Sequence, residues 1–137
     1  MIQVTAAIIH NDGKLLLCQK PKGKRCELLW EFPGGKIDHD ESPEECLIRE
    51  CSEELGVIIK TEQLVQEVEY EYPNINVNIH FFLCTLVEGE PKCIEHNDVR
   101  WFTLDDILKM PLCPADEKLL NQAFDKIKMY LAVTAGV

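Results

Sequence analysis

Three glutamates, Glu50, Glu53 and Glu54, fall within one short stretch whose apolar residues repeat at helical spacing. At about 100° per residue they occupy an arc of roughly 100°, with Cys46, Leu47, Cys51 and Leu55 toward the opposite side. Like charges three or four residues apart destabilise a helix. Arg49 can pair with Glu53 four residues on, and Glu45 with Arg49, but one guanidinium cannot neutralise the whole group. A bound divalent cation can, and an oxygen-rich, sulfur-free set suits Mg²⁺ or Mn²⁺ rather than zinc. The alternative is a solvated acidic face, which water screens cheaply. Two neighbouring features favour the metal. Gly34 and Gly35 free the backbone to take positive φ and to approach a ligand closely. Lys20, Lys22, Lys24 and Arg25 form a basic loop in an otherwise acidic chain. A glycine turn, a helical carboxylate cluster and a basic loop together describe a site for a metal and a polyphosphate.

The elements that must position these residues are legible around them. Ser42-Pro43-Glu44-Glu45 is a helix start: Ser42 caps, Pro43 suits the first position and Glu45 completes a capping box. The helix runs to Leu55, and Gly56 fits the position just past its end. Upstream, Ile2–His10 and Lys14–Gln19 predict a hairpin around Asn11-Asp12-Gly13. Leu28–Phe32 reads as a short strand running into Pro33-Gly34-Gly35, a backbone punctuation. Downstream, strands are predicted at Val57–Lys60, Leu64–Tyr72, Asn76–Leu86 and Val99–Phe102, with a brief helix at Leu104–Lys109. A final helix over Asp116–Leu131 follows from the spacing of Leu119, Leu120, Ala123, Phe124, Ile127, Tyr130 and Leu131. Strands and helices mix without strict alternation, which predicts a mixed sheet with helices on both faces.

The chain has 137 residues, enough for one domain, 1–137, with a real core. Its net charge of −10 argues against non-specific binding of nucleic acid or an anionic membrane. No apolar stretch is long enough to span a bilayer. The N-terminus enters an apolar run at once, without a basic leader, which predicts a cytoplasmic protein. The seven cysteines show no C-x-x-C spacing and read as reduced thiols, several of them in the core.

The acidic stretch resembles the Nudix box: a glycine, five residues, a glutamate, seven residues, then Arg-Glu-apolar-x-Glu-Glu-x-Gly-apolar. Gly35, Glu41, Arg49, Glu50, Cys51, Glu53, Glu54, Gly56 and Val57 match it throughout residues 35–57, with Cys51 where an aliphatic residue is common. The resemblance extends over nearly the whole chain. Trp30-Glu31-Phe32-Pro33-Gly34-Gly35-Lys36 and Glu69-Tyr70-Glu71-Tyr72-Pro73 resemble segments of MutT-like and CTP-pyrophosphohydrolase-like members, as do Trp101 and Pro114-Ala115-Asp116.

The resemblance implies the Nudix α/β/α sandwich, an α+β fold with a mixed sheet between helices. It implies a Mg²⁺-dependent pyrophosphohydrolase, with Mn²⁺ able to substitute, that cleaves nucleoside triphosphates to monophosphate and pyrophosphate. Oxidised or modified dNTPs, or CTP and dCTP analogues, are the implied substrates, which points to nucleotide-pool sanitation and DNA repair. Nucleic acid and membrane are not expected partners, and the chain is expected to be a monomer or homodimer. The Gly34–Gly35 backbone with Glu50, Glu53, Glu54 and Glu95 would hold two or three magnesium ions. Glu53 or Glu95 would activate water, and Arg49 would position the glutamates. Lys20, Arg25 and Lys36 would contact phosphates, and Phe32 and Asp116 the base. Glu41 either joins the chemistry or supports the loop, and Trp30 lies in core or cleft. His39, His80 and His96 carry no constellation. Asp116 either caps the final helix or reads the base. MutT is expected to carry asparagine there, and a carboxylate favours a donor-rich base edge such as the amino group of cytosine or guanine. The rival readings are a hydrolase of another nucleoside diphosphate derivative and a non-catalytic nucleotide sensor.

Overall fold

The computed structural model describes residues 1–135. In chain order the elements are β1 (Ile2–Asn11), β2 (Lys14–Gln19), β3 (Trp30–Glu31), β4 (Gly34–Lys36), α1 (Pro43–Leu55), β5 (Ile58–Tyr72), β6 (Ile75–Glu88), β7 (Asp98–Phe102), α2 (Leu104–Ile107) and α3 (Pro114–Ala135). β1 is the organising strand. It pairs in parallel with β6 from Ile2↔Val77 to Ile9↔Cys84, and its first half pairs antiparallel with β4. It meets β2 at the hairpin, where Asn11 faces Lys14. β2 in turn carries β3 and β7, and β5 lies outside β6, completing a mixed seven-stranded sheet.

Alternation along β1 explains why helices cover both faces. Ala6 and Ile8 point into one core with Leu15, Leu17, Ile79 and Phe81, closed by Leu119, Leu120, Ala123 and Ile127 of α3 and by Leu104 and Ile107 of α2. Ala7 and Ile9 point into the other with Leu16, Cys18 and Phe82, closed by Leu47, Cys51 and Leu55 of α1. A strand buried on both faces reads as a continuous apolar run, as Thr5–Ile9 does. The result is the expected α+β sandwich. No helix among the described residues is long and apolar enough to cross a membrane. All seven cysteines are free thiols.

Several local expectations change. Gly34–Lys36 is a strand, because Pro33 O accepts from Ala7 N at 2.8 Å and the following residues continue that pairing. Only Trp30–Glu31 of the preceding stretch is extended in the sheet, since Cys26 and Leu28 both adopt positive φ. Trp30 packs edge-on against Phe102 and belongs with the core. The two strands expected between residues 57 and 72 are one, with register shifts at Thr61/Gln63 and Leu64/Gln66 that interrupt the alternation without breaking the strand. The second helix ends at Ile107, and the last begins at Pro114, so Asp116 lies inside its first turn and is not its N-cap.

Candidate functional site

α1 presents its acids because both ends and one face are fixed. Ser42 Oγ accepts from Glu45 N at 3.1 Å and Glu45 Oε1 accepts from Ser42 N at 2.9 Å, a closed capping box. Gly56 terminates the helix at φ 66°, in the left-handed region. Burying Leu47 and Leu55 against the sheet stabilises the helix by roughly 1.5–3 kcal/mol each. That outweighs like-charge repulsion of about 0.2–0.5 kcal/mol per pair on the other face. Glu45 is engaged in the capping box, so the expected Glu45–Arg49 pair does not form.

The two glycines act through close approach. Neither adopts positive φ. A Cβ on Gly34 would strike the Thr5 carbonyl of the paired strand, and one on Gly35 would occupy the space of the Glu50 carboxylate. Glycine here lets β4 lie against β1 and lets Glu50 lie against the β4 backbone.

Arg49 gathers the acids around it. Its Nη1 donates to Glu50 Oε1 at 3.0 Å and to Glu53 Oε2 at 3.4 Å, and its Nη2 lies 3.3 Å from Asp38 Oδ2. Its strongest partner is Glu41, held at two points and also accepting from Asp38 N at 2.8 Å. The hydrogen bonds from Arg49, then that from Asp38 N, draw the Glu41 carboxyl down to about 2. Glu41 therefore supports the loop between β4 and α1.

The α1 glutamates are not equivalent. Glu54 is buried, while the Glu53 side chain is 53% exposed beside Arg49. Glu50 and Glu54 line a cleft of about 590 Å³ that also contains Glu95, Glu31 and His96. Glu53 and Arg49 lie outside its lining. Burial, then a hydrogen bond that the protonated carboxyl donates to Glu50 and the charges of Glu50, Glu31 and Glu95, push the Glu54 carboxyl up to about 10. Its Oε2 is buried without a partner. An isolated buried carboxylate is costly to ionise, and a cation in place of its proton offsets that cost. The orphaned oxygen and the all-carboxylate surroundings fit a hard divalent cation. Glu50, Glu54 and Glu95 could hold it from within the cleft, while Glu53 lies outside the lining.

The rest of the cleft is lined by aromatic, acidic and basic side chains. Phe32 is buried and packs edge-on against Phe81. Its N–H donates to Asp116 Oδ1 at 3.0 Å. Asp116 is buried, and desolvation followed by the charge of Glu31 raises its pKa. Tyr72 accepts from Ala115 N at 3.3 Å, and Arg25 lies 5.3 Å over its ring, a cation–π contact. Lys20, Lys24 and Lys36 join the lining, whereas Lys22 does not.

The cleft thus collects every residue expected in the site except Arg49, which bonds Glu50 of its lining, and Glu53, which bonds Arg49. Sequence reasoning missed His96, Glu31, Tyr72 and Cys113. His96 Nε2 lies 3.0 Å from Glu31 Oε2 and 3.6 Å from Glu54 Oε1, so it does join a constellation. His39 stays exposed beside Asp40, and His80 bonds Gln3 outside the cleft. The tightest group of prospective ligand atoms among the described residues is Glu31, Cys113 and Asp116, all within 4.8 Å of one another.

The NUDIX domain model matches residues 1–123. The CTP pyrophosphohydrolase of Escherichia coli is 38% identical over 121 residues, covering 88% of this chain and 90% of that protein. The 8-oxo-dGTP diphosphatase of Haemophilus influenzae is 32% identical over 132 residues, covering 96% of this chain and 97% of its own. Among solved structures, the MutT protein of Methanosarcina mazei superposes with a TM-score of 0.82 at 29% identity, covering 93% of this chain and 94% of that one.

Proposed function

Because the chain belongs to the Nudix family of phosphoanhydride hydrolases, we propose that this protein is a Mg²⁺-dependent pyrophosphohydrolase of nucleoside triphosphates. It releases the monophosphate and pyrophosphate. The observation that carries the reading is one cleft holding Glu31, Glu50, Glu54 and Glu95 on one side, Phe32, Tyr72 and Asp116 on the other, and lysines along it. An acidic pocket alone would repel a triphosphate. Acids prepared for a divalent cation, next to basic and aromatic groups, suit one.

When bound, Mg²⁺ would offset phosphate charge and lower the pKa of its water. Glu50, Glu53, Glu54 and Glu95 would hold it with the backbone of Gly34 and Gly35. Lys20, Lys36 and Arg25 supply positive charge along the triphosphate chain, Arg25 from the side of Tyr72. Arg49 keeps Glu50 and Glu53 in orientation. Of the two candidates for the general base, Glu95 is favoured. It lines the cleft, whereas Glu53 lies outside the lining and pairs with Arg49. Geometry ranks first in such an assignment.

Phe32 forms the floor of the base end, and Asp116 reads the base edge. One Asp116 oxygen is occupied by Phe32 N, and no other side chain among the described residues bonds the carboxyl. A carboxyl accepts from the amino group of cytosine or guanine and, when protonated, also donates. This favours CTP-like substrates together with 8-oxo-dGTP over strict selection of the latter.

The test is a panel of triphosphates, nucleotide sugars and dinucleotides with Mg²⁺, scored for both pyrophosphate and orthophosphate. Pyrophosphate with the monophosphate from cytosine and guanine triphosphates is expected. Turnover confined to nucleotide sugars, or release of orthophosphate, would overturn the reading.

A further inference from the structure

The acid Glu95 is placed in the cleft by a loop without regular structure between β6 and β7, and its own side chain is exposed. Something other than Glu95 must hold that loop against α1. Lys92 N donates to Leu55 O at 2.9 Å and Asn97 N to Gln19 O at 2.9 Å, which fix the two flanks. Between them His96 is the one residue that is not exposed. The His96 ring is 5% exposed, with Nε2 set between Glu31 Oε2 at 3.0 Å and Glu54 Oε1 at 3.6 Å. Its Nδ1 is buried and unpartnered, as is Oε2 of Glu54 beside it. Orphaned buried polar atoms are costly and rarely persist without a use.

We propose that His96 is a positioning residue. It docks the loop carrying Glu95 onto Glu31 of β3 and Glu54 of α1, so that Glu95 is brought to the same cleft as the acids of α1. The inference rests on the metal reading of the cleft given above. It follows from connectivity: Glu54 belongs to a helix, Glu31 to a strand and Glu95 to a loop, and His96 is the side chain that touches the first two while adjoining the third. Partners that orient metal ligands typically carry tenfold to a hundredfold effects on affinity.

The experiment is calorimetric titration of the nucleotide-free protein with Mn²⁺, comparing wild type, His96→Ala and His96→Gln, with circular dichroism as the control for folding. Glutamine places an amide N–H near the position of Nε2 and can still donate to Glu31. His96→Ala should raise the Mn²⁺ dissociation constant by roughly tenfold to a hundredfold, and His96→Gln should recover a large part of that loss. Should His96→Ala be poorly folded, a soluble His96→Gln binding Mn²⁺ more tightly than a soluble His96→Leu makes the same point. If wild type binds Mn²⁺ and either apolar variant binds it equally well, the positioning role is wrong while the metal site stands. A wild type that binds no Mn²⁺ overturns both.

Discussion

Arg49 meets Glu41 at two points, Nε to Oε2 at 3.1 Å and Nη2 to Oε1 at 2.7 Å. The pair ties the loop after β4 to the middle of α1 and leaves the remaining guanidinium nitrogen for Glu50 and Glu53. The Glu41 pKa in the folded protein, about 2, lies below its ordinary 4.5. The pair's contribution is therefore complete above the ordinary value and is lost as pH falls through about 2. Glu41→Gln should leave catalysis largely intact near neutral pH and lower stability there. Its thermal midpoint should change less than that of wild type between about pH 5 and pH 2. Parallel acid limbs for the two proteins would show that the pair does not stabilise the fold.

Gly34 and Gly35 should fail differently. A side chain at Gly34 strikes backbone, the Thr5 carbonyl, whereas one at Gly35 strikes the movable end of Glu50. Gly34→Ala should lower stability by about 1–3 kcal/mol, as overpacking does. Gly35→Ala should keep most of the stability and lose metal affinity, because Glu50 must move. Unfolding and Mn²⁺ titration of both variants would check this. A Gly35→Ala protein with unchanged affinity would detach Glu50 from the metal.

Glu95 and Glu53 can be ranked. Glu95→Gln should lower kcat by about a hundredfold or more, within the range for loss of a general base. Glu53→Gln should retain more activity, because its side chain stands outside the cleft lining. Both should fold, since both residues are exposed. The reverse order of activities would return the base to Glu53.

Asp116→Asn should separate recognition from stability. The folded protein holds the Asp116 proton more tightly than its ordinary 3.8 implies. Stability from this group is thus greatest below the ordinary value and declines as pH rises. Asparagine can still accept from Phe32 N and carries no charge to bury. The variant should therefore be at least as stable as wild type at neutral pH. Its ratio of kcat/KM between CTP and 8-oxo-dGTP should shift by about tenfold. An unchanged ratio would remove Asp116 from base recognition.

The parts of this molecule legible in its sequence are those set by local chemistry. The capping box at Ser42, the stop at Gly56 and the apolar stripe of Leu47, Cys51 and Leu55 are each written within a few residues. β4 was not legible, since two of its three residues lack a side chain to alternate. Nor was the continuity of β5, whose bulges reset the period of two. The acids of α1 could be placed on one face, but the burial of Glu54 and the exposure of Glu53 depend on what packs opposite. His96 looked isolated because both of its partners are distant in the chain, Glu31 and Glu54.

The account stands on divalent metal held by Glu50, Glu54 and Glu95 making the triphosphate cleavable. The direct measurement is the initial rate of pyrophosphate release from CTP by metal-stripped protein, first in excess EDTA and then after addition of excess Mg²⁺. The rate should fall to background under chelation and return with Mg²⁺, and Mn²⁺ should restore it as well. Undiminished release in excess EDTA would contradict the account.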